Sequence, residues 1–107
     1  MDVPEIDVDD LAERREAGQV VLDVRTVEEW EEARVPGVLL IPLGELVERI
    51  DEVPDDGPVP VICATGVRSL QAAEYLRRQG VDAMNVVGGT MAWMSAGFDV
   101  ESGEAPA

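Results

Sequence analysis

The segment from Val59 to Gln79 constrains the fold more than any other, because it carries three signals in fixed order. An apolar run (Val59, Val61, Ile62) leads into the chain's only cysteine, Cys63, and then into the small residues Ala64, Thr65 and Gly66. Beyond them Leu70, Ala73, Tyr75 and Leu76, followed by Arg77 and Arg78, carry a helical pattern. This is a buried strand, a tight loop and a helix N-terminus, with the thiol at the carboxyl end of the strand. In an open parallel sheet, that edge is where ligands and chemistry gather.

A cysteine in such a place has two physical readings. Only the thiolate is a strong nucleophile, and a free thiol is mostly protonated at neutral pH. A loop of small residues can wrap its backbone N–H groups around one point and hold a negative charge there, helped by the positive end of the following helix. Gly66 can adopt the positive φ that a tight wrap needs. Arg68 adds a permanent positive charge within reach of an oxyanion. The first reading is therefore a cradled, acidic and exposed Cys63. The second is a structural cysteine that ends a core strand, since free cysteine is among the most buried residue types.

Composition narrows the chemistry. The 107 residues suit one domain with its own core, and a single cysteine excludes an internal disulfide. No apolar segment follows Met1, so neither a leader nor a membrane span is expected and the cytoplasm is the expected location. All eight basic residues are arginine, with no histidine and no lysine. A Ser-His-Asp or Cys-His arrangement, a Schiff-base lysine and a Walker-type lysine are thereby excluded. A zinc site would have to combine one thiolate with carboxylates, an unusual set, so neither metal nor cofactor is expected. The net charge of −15 is uneven: residues 1–57 hold 18 acids against 5 arginines, whereas residues 58–97 carry a net +1. Such a surface argues against nucleic acid and anionic membranes, and it also serves plain solubility.

Elsewhere strand and helix signals alternate. A short extended piece surrounds Ile6; Asp7 or Asp9 then caps a helix over Leu11 to Ala17 that Gly18 closes. Val20-Val21-Leu22 reads as a buried strand running into Asp23-Val24-Arg25. Thr26 caps the next helix, with Glu28 and Glu29 in its first turn and Trp30 as its apolar anchor. Pro36-Gly37 is a turn, and Val38 to Ile41 is a strand stopped by Pro42. Leu43, Leu46, Val47 and Ile50 predict an amphipathic helix. The final strand is Ala83 to Val87, after which Thr90 caps a short helix carrying Met91, Trp93 and Met94. The pattern predicts an α/β domain over residues 1–100, its mostly parallel sheet covered on both faces, with 101–107 as a flexible acidic tail.

From Ile6 to Phe98 the chain resembles a single-domain rhodanese. The resemblance is carried by VLDVRTVEEW (21–30), VPGVLLIPLGEL (35–46), CATGVRS (63–69) and NVVGGTMAW (85–93), a combination specific in its order and spacing. It implies a five-stranded parallel sheet flanked by helices. It also implies a six-residue active loop, with Cys63 as the sulfur-carrying nucleophile and Ala64, Thr65, Gly66, Val67 and Arg68 as the substrate cradle. Asp23 and Arg25 fall at the family's Asp-Val-Arg position and read as loop support. Trp93 reads as core, as loop support or as a wall of the pocket. Where the family often has Gly-His before the turn, this chain has Ala33-Arg34.

The mechanism implied is transfer of a sulfane sulfur from a donor such as thiosulfate, through a persulfide on Cys63, to a thiol, cyanide or protein acceptor. No general base is needed, which suits a chain without histidine. With no second thiol to resolve the persulfide, its sulfur must pass to another molecule. Arg68 either contacts the donor or pairs with a carboxylate such as Asp23. A cysteine phosphatase is disfavoured, because only four residues separate Cys63 from Arg68 where that class has five. A non-catalytic module that binds partners is the alternative. A monomer or weak dimer is expected.

Overall fold

The computed structural model describes residues 2–104. Among them run β1 (Glu5–Ile6), α1 (Val8–Glu16), β2 (Leu22–Asp23), α2 (Val27–Glu32), β3 (Leu39–Leu40), β4 (Val59–Ile62), α3 (Val67–Arg78), β5 (Ala83–Val86) and α4 (Gly89–Ser95). The strands form one parallel sheet in the order β1-β5-β4-β2-β3. Each parallel neighbour is reached by a crossover, which is why the sheet is covered on both faces.

Alternation along the strands divides the core in two. Leu22, Val59, Val61 and Cys63 point to the face covered by Ala72, Ala73 and Leu76 of α3. Val21, Ile62, Met84 and Val86 point to the other face, against Leu11 of α1 and Trp93 of α4. Leu22, Ile41, Ile62 and Leu76 are wholly buried, and each such side chain contributes about 1.5–3 kcal/mol of transfer free energy.

Local signals place most element ends. Asp7, not Asp9, caps α1 by accepting the N–H of Asp10 at 2.9 Å. Thr26 and Glu29 close a reciprocal capping box at the start of α2. Two expectations change. The helix predicted over Leu43 to Ile50 is instead a pair of 3₁₀ turns, Leu43–Glu45 and Ile50–Glu52. Of its apolar stripe only Leu46 is buried, while Val47 is 64% exposed. Gly44 also weakens a longer helix. At α4 the cap is Gly88 (φ 79°), not Thr90, because the Thr90 hydroxyl is committed to the Cys63 carbonyl at 3.2 Å.

The segment read as a tail is partly placed. Glu101 pairs antiparallel with Arg34, and the Gly103 N–H reaches the Glu31 carbonyl at 2.6 Å. Residues 105–107 lie outside the described residues. Among the described residues no helix is long and apolar enough to cross a membrane.

Candidate active site

The carboxyl ends of β2, β4 and β5 converge. Asp23 stands opposite Ile62 and Val61 opposite Asn85, so Asp23, Cys63 and Asn85 share one edge of the sheet. There the chain leaves β4 and turns back at Gly66 (φ 103°) into α3. A side chain at Gly66 would be strained by that φ and would touch Val86 and Gly88 backbone at 3.4 Å.

This turn aims polar hydrogens at one sulfur. Cys63 Sγ receives the Gly66 N–H at 3.1 Å and the Ser69 hydroxyl at 3.2 Å. Burial of the thiol is the largest influence on its acidity and pushes its pKa up. The Ser69 hydroxyl and the N–H groups of Ser69, Gly66 and Thr65 pull it down and prevail, so Cys63 is more acidic than an ordinary cysteine. The expected exposure is not found: Cys63 is 1% exposed. It lies beneath its own loop, at the boundary between the α3-side core and a ring of hydrogen-bond donors. Thr65 and Val67 are exposed on the outer side of the loop.

The loop is fastened from behind by α4. The Thr90 N–H binds the Cys63 carbonyl at 2.9 Å and the Met91 N–H binds the Ala64 carbonyl at 3.1 Å. Contact this close requires Gly89 (φ 59°), where a side chain would press into the Cys63 carbonyl and lie 2.6 Å from the Ala64 oxygen. Beneath the sulfur, the single proton of the Ser69 hydroxyl also lies 2.6 Å from Asn85 Oδ1. When Cys63 is a thiol that proton bonds Asn85; when it ionises the proton turns to sulfur. The Asn85 amide nitrogen holds the Gly66 carbonyl at 3.2 Å. Ser69 and Asn85 are site residues that sequence reasoning alone does not single out. A lone amide inside the apolar run Ala83 to Val87 is the signal that could have found Asn85.

Two ion pairs flank the loop. Asp23 is wholly buried and receives the Arg25 Nε on both oxygens at 3.1 Å, plus the Arg25 Nη2 at 2.9 Å. Arg25 also donates to the Ala33 carbonyl at 2.8 Å, tying the end of α2 to the sheet edge. Asp23 is thus taken, and the carboxylate that meets Arg68 is Glu29: the two Nη atoms donate to its two oxygens at 2.7 and 2.8 Å. The Arg68 guanidinium holds Glu29 down at a pKa of about 2. Arg68 itself is raised, mainly by Glu29, with smaller contributions from the charges of Cys63 and Asp23.

A cleft of about 410 Å³ beside the loop is walled by Arg25, Glu29, Glu32, Ala64, Met91 and Met94. A larger cavity, about 540 Å³, lies between α1 and the chain after α4 and contains none of the loop. Trp93 faces that cavity. It stacks on Phe98 with ring centroids 4.5 Å apart and donates to the Asp99 carbonyl, so it is core on the far face of the sheet and not a wall of the cleft at Ala64. Arg34 likewise turns away: it stacks 3.6 Å over the Trp30 ring and binds the Trp30 and Gly103 carbonyls. The Ala33-Arg34 departure therefore serves packing and docking of the chain after α4. Among the described residues no three carboxylates or thiols converge on a metal-sized point.

Comparison with known proteins shows the family and the fold. Residues 7–96 match the Rhodanese-like domain family. The chain is 35% identical over 105 residues to a protein of Allochromatium vinosum named sulfurtransferase, covering 95% of this chain and 98% of that one. It is 37% identical over 94 residues to YrkF of Bacillus subtilis, covering 85% of this chain but spanning only about half (51%) of that relative. The crystal structure of a rhodanese-related protein from Thermoplasma volcanium superposes with a TM-score of 0.86 at 35% identity, covering 92% of this chain and 97% of that one. From Asp7 to Ala96, then, this chain belongs to the rhodanese-like domain family.

Proposed function

We propose that the protein is a sulfurtransferase in which Cys63 carries the transferred sulfur. The observation that carries this reading is the convergence of the Gly66 N–H and the Ser69 hydroxyl on Cys63 Sγ in a site whose thiol is made acidic. The names of relatives such as the Allochromatium vinosum protein support it. The Cys63 thiolate attacks the outer sulfur of a donor such as thiosulfate; the donor's S–S bond breaks, sulfite leaves with the bonding pair, and a Cys63 persulfide remains. Amide donors hold the anionic sulfur before and after the step, as an oxyanion hole holds oxygen. An acceptor thiolate or cyanide then attacks the outer sulfur and frees Cys63, a ping-pong sequence with no obligatory proton transfer. The loop Ala64 to Arg68 supplies the cradle, and Asp23 and Arg25 hold it. A reducing compartment such as the cytoplasm supplies thiol acceptors and keeps Cys63 free.

The test is intact-protein mass after incubation with thiosulfate or an alkyl persulfide. One added sulfur atom, removed by cyanide and absent in Cys63→Ser, is the expected result. A Cys63 that takes sulfur from no donor leaves the partner-binding module as the better reading.

A further inference from the structure

Arg25, which lines the cleft, and Arg68, the cation of the neighbouring loop, are both already answered by carboxylates. Arg25 is spent on the buried Asp23, and both arms of the Arg68 fork are taken up by Glu29. Glu32 adds a further carboxylate to the same wall. The rest of that wall is Ala33, Ala64, Thr90, Met91 and Met94, small or apolar. Glu29 is also fixed in place from its own side: its Oε1 accepts the N–H of Thr26 at 3.1 Å as part of the α2 capping box. The two-pronged contact that a planar or tetrahedral oxyanion would make with Arg68 is thus made in advance by the protein's own carboxylate.

We propose that Glu29 sets the charge of the donor: by occupying Arg68 it turns the site against anionic donors such as thiosulfate and toward sulfane sulfur carried on an uncharged or cationic alkyl persulfide. This rests on the sulfur-transfer reading above and names its substrate class. With such a donor the Cys63 thiolate attacks the outer sulfur of R–S–SH, the S–S bond breaks, and RS⁻ leaves with the bonding pair. The donor's proton stays on the outer sulfur of the new persulfide, so charge and atoms balance. Thiosulfate must bring two negative charges past the cleft carboxylates Glu29 and Glu32, and can grip the Nη pair of Arg68 only by displacing Glu29.

Two charge-matched comparisons on the whole protein test this, with Glu29→Gln as the variant because glutamine keeps the shape and an oxygen for the cap. The first is the ratio of kcat/KM for cysteamine persulfide to that for thiosulfate. The second needs no sulfur transfer: the ratio of Cys63 alkylation rates with iodoacetamide and iodoacetate, referred to the same ratio for N-acetylcysteine amide. The alkylation ratio is expected to exceed its reference in the wild type, and both ratios are expected to fall about tenfold in Glu29→Gln, the scale of one unit charge removed at close range in a partly solvated site. Ratios that stay constant, or rise, in the variant overturn the role of Glu29. Loading that fails with both donors removes the sulfur-transfer reading instead, and the alkylation ratio then decides the charge filter on its own.

Discussion

Replacing Ser69 with alanine isolates the hydroxyl's share of the thiolate's stabilisation. In the wild type that hydroxyl has one proton and two claimants, Cys63 Sγ at 3.2 Å and Asn85 Oδ1 at 2.6 Å. A hydrogen bond to a charged acceptor contributes about 1.5–3 kcal/mol, and one to a neutral acceptor about 1 kcal/mol. Ionisation exchanges the second for the first, so the hydroxyl favours the thiolate by the difference, about 0.5–2 kcal/mol. Ser69→Ala should therefore shift the thiol–thiolate equilibrium about 2–30-fold toward the thiol, and the midpoint of Cys63 alkylation against pH should rise. The chain has one cysteine, so iodoacetamide consumption and thiolate absorbance both read this residue alone. The same variant strands Asn85 Oδ1 and should lose about 1–3 kcal/mol in urea unfolding. A midpoint that stays put or falls, in a variant that remains folded, would refute the account of the Ser69 hydroxyl as the main side-chain donor.

Three further outcomes follow from the same geometry. Gly89→Ala combines a positive φ with a side chain driven into the Cys63 and Ala64 carbonyls and should cost about 2–4 kcal/mol of stability by denaturant unfolding; a neutral result would mean that α4 does not clamp the loop. Arg25→Leu leaves Asp23 charged and buried without its partner and should cost about 3–5 kcal/mol, checked by thermal unfolding. Glu29 has a depressed pKa of about 2 in the folded protein, so its ion pair stabilises the fold fully above the unfolded value of about 4.3 and loses that contribution as pH falls toward 2. The melting-temperature gap between wild type and Glu29→Gln should accordingly be widest above pH ~5 and close on acidification; a gap independent of pH would contradict the assignment.

How much of this was legible in the sequence depends on the range of each interaction. The turn from β4 into α3 was legible because its chemistry is local: an apolar strand, small loop residues and a glycine at the positive-φ position all lie within the eleven residues Val59 to Ser69. The capping box at Thr26 and Glu29 was half legible for the same reason. The partner of Arg68 was not, because choosing among carboxylates requires knowing that Arg25 already occupies Asp23, and that Glu29 reaches a residue 39 positions away. The Leu43 to Ile50 helix failed because its apolar spacing is real but its burial is incomplete: Leu46 is buried in the core, Leu43 and Ile50 pack against it only in part, and Val47 faces solvent. The exposure of Cys63 failed because the donors that make the sulfur acidic also close over it.

The anchoring of the Cys63 and Ala64 carbonyls by Thr90 and Met91 has a consequence for how substitutions spread. A peptide group is a rigid plane, so gripping its oxygen also sets the bearing of the N–H at its other end. The Ala64 oxygen and the Thr65 N–H belong to one such plane, and α4 steers it from outside the pocket. Changes in how that short helix seats on the sheet should register as altered thiol acidity even where no substituted atom comes near sulfur. The electrostatic setting of the nucleophile is in this sense a mechanical property of the chain's last helix.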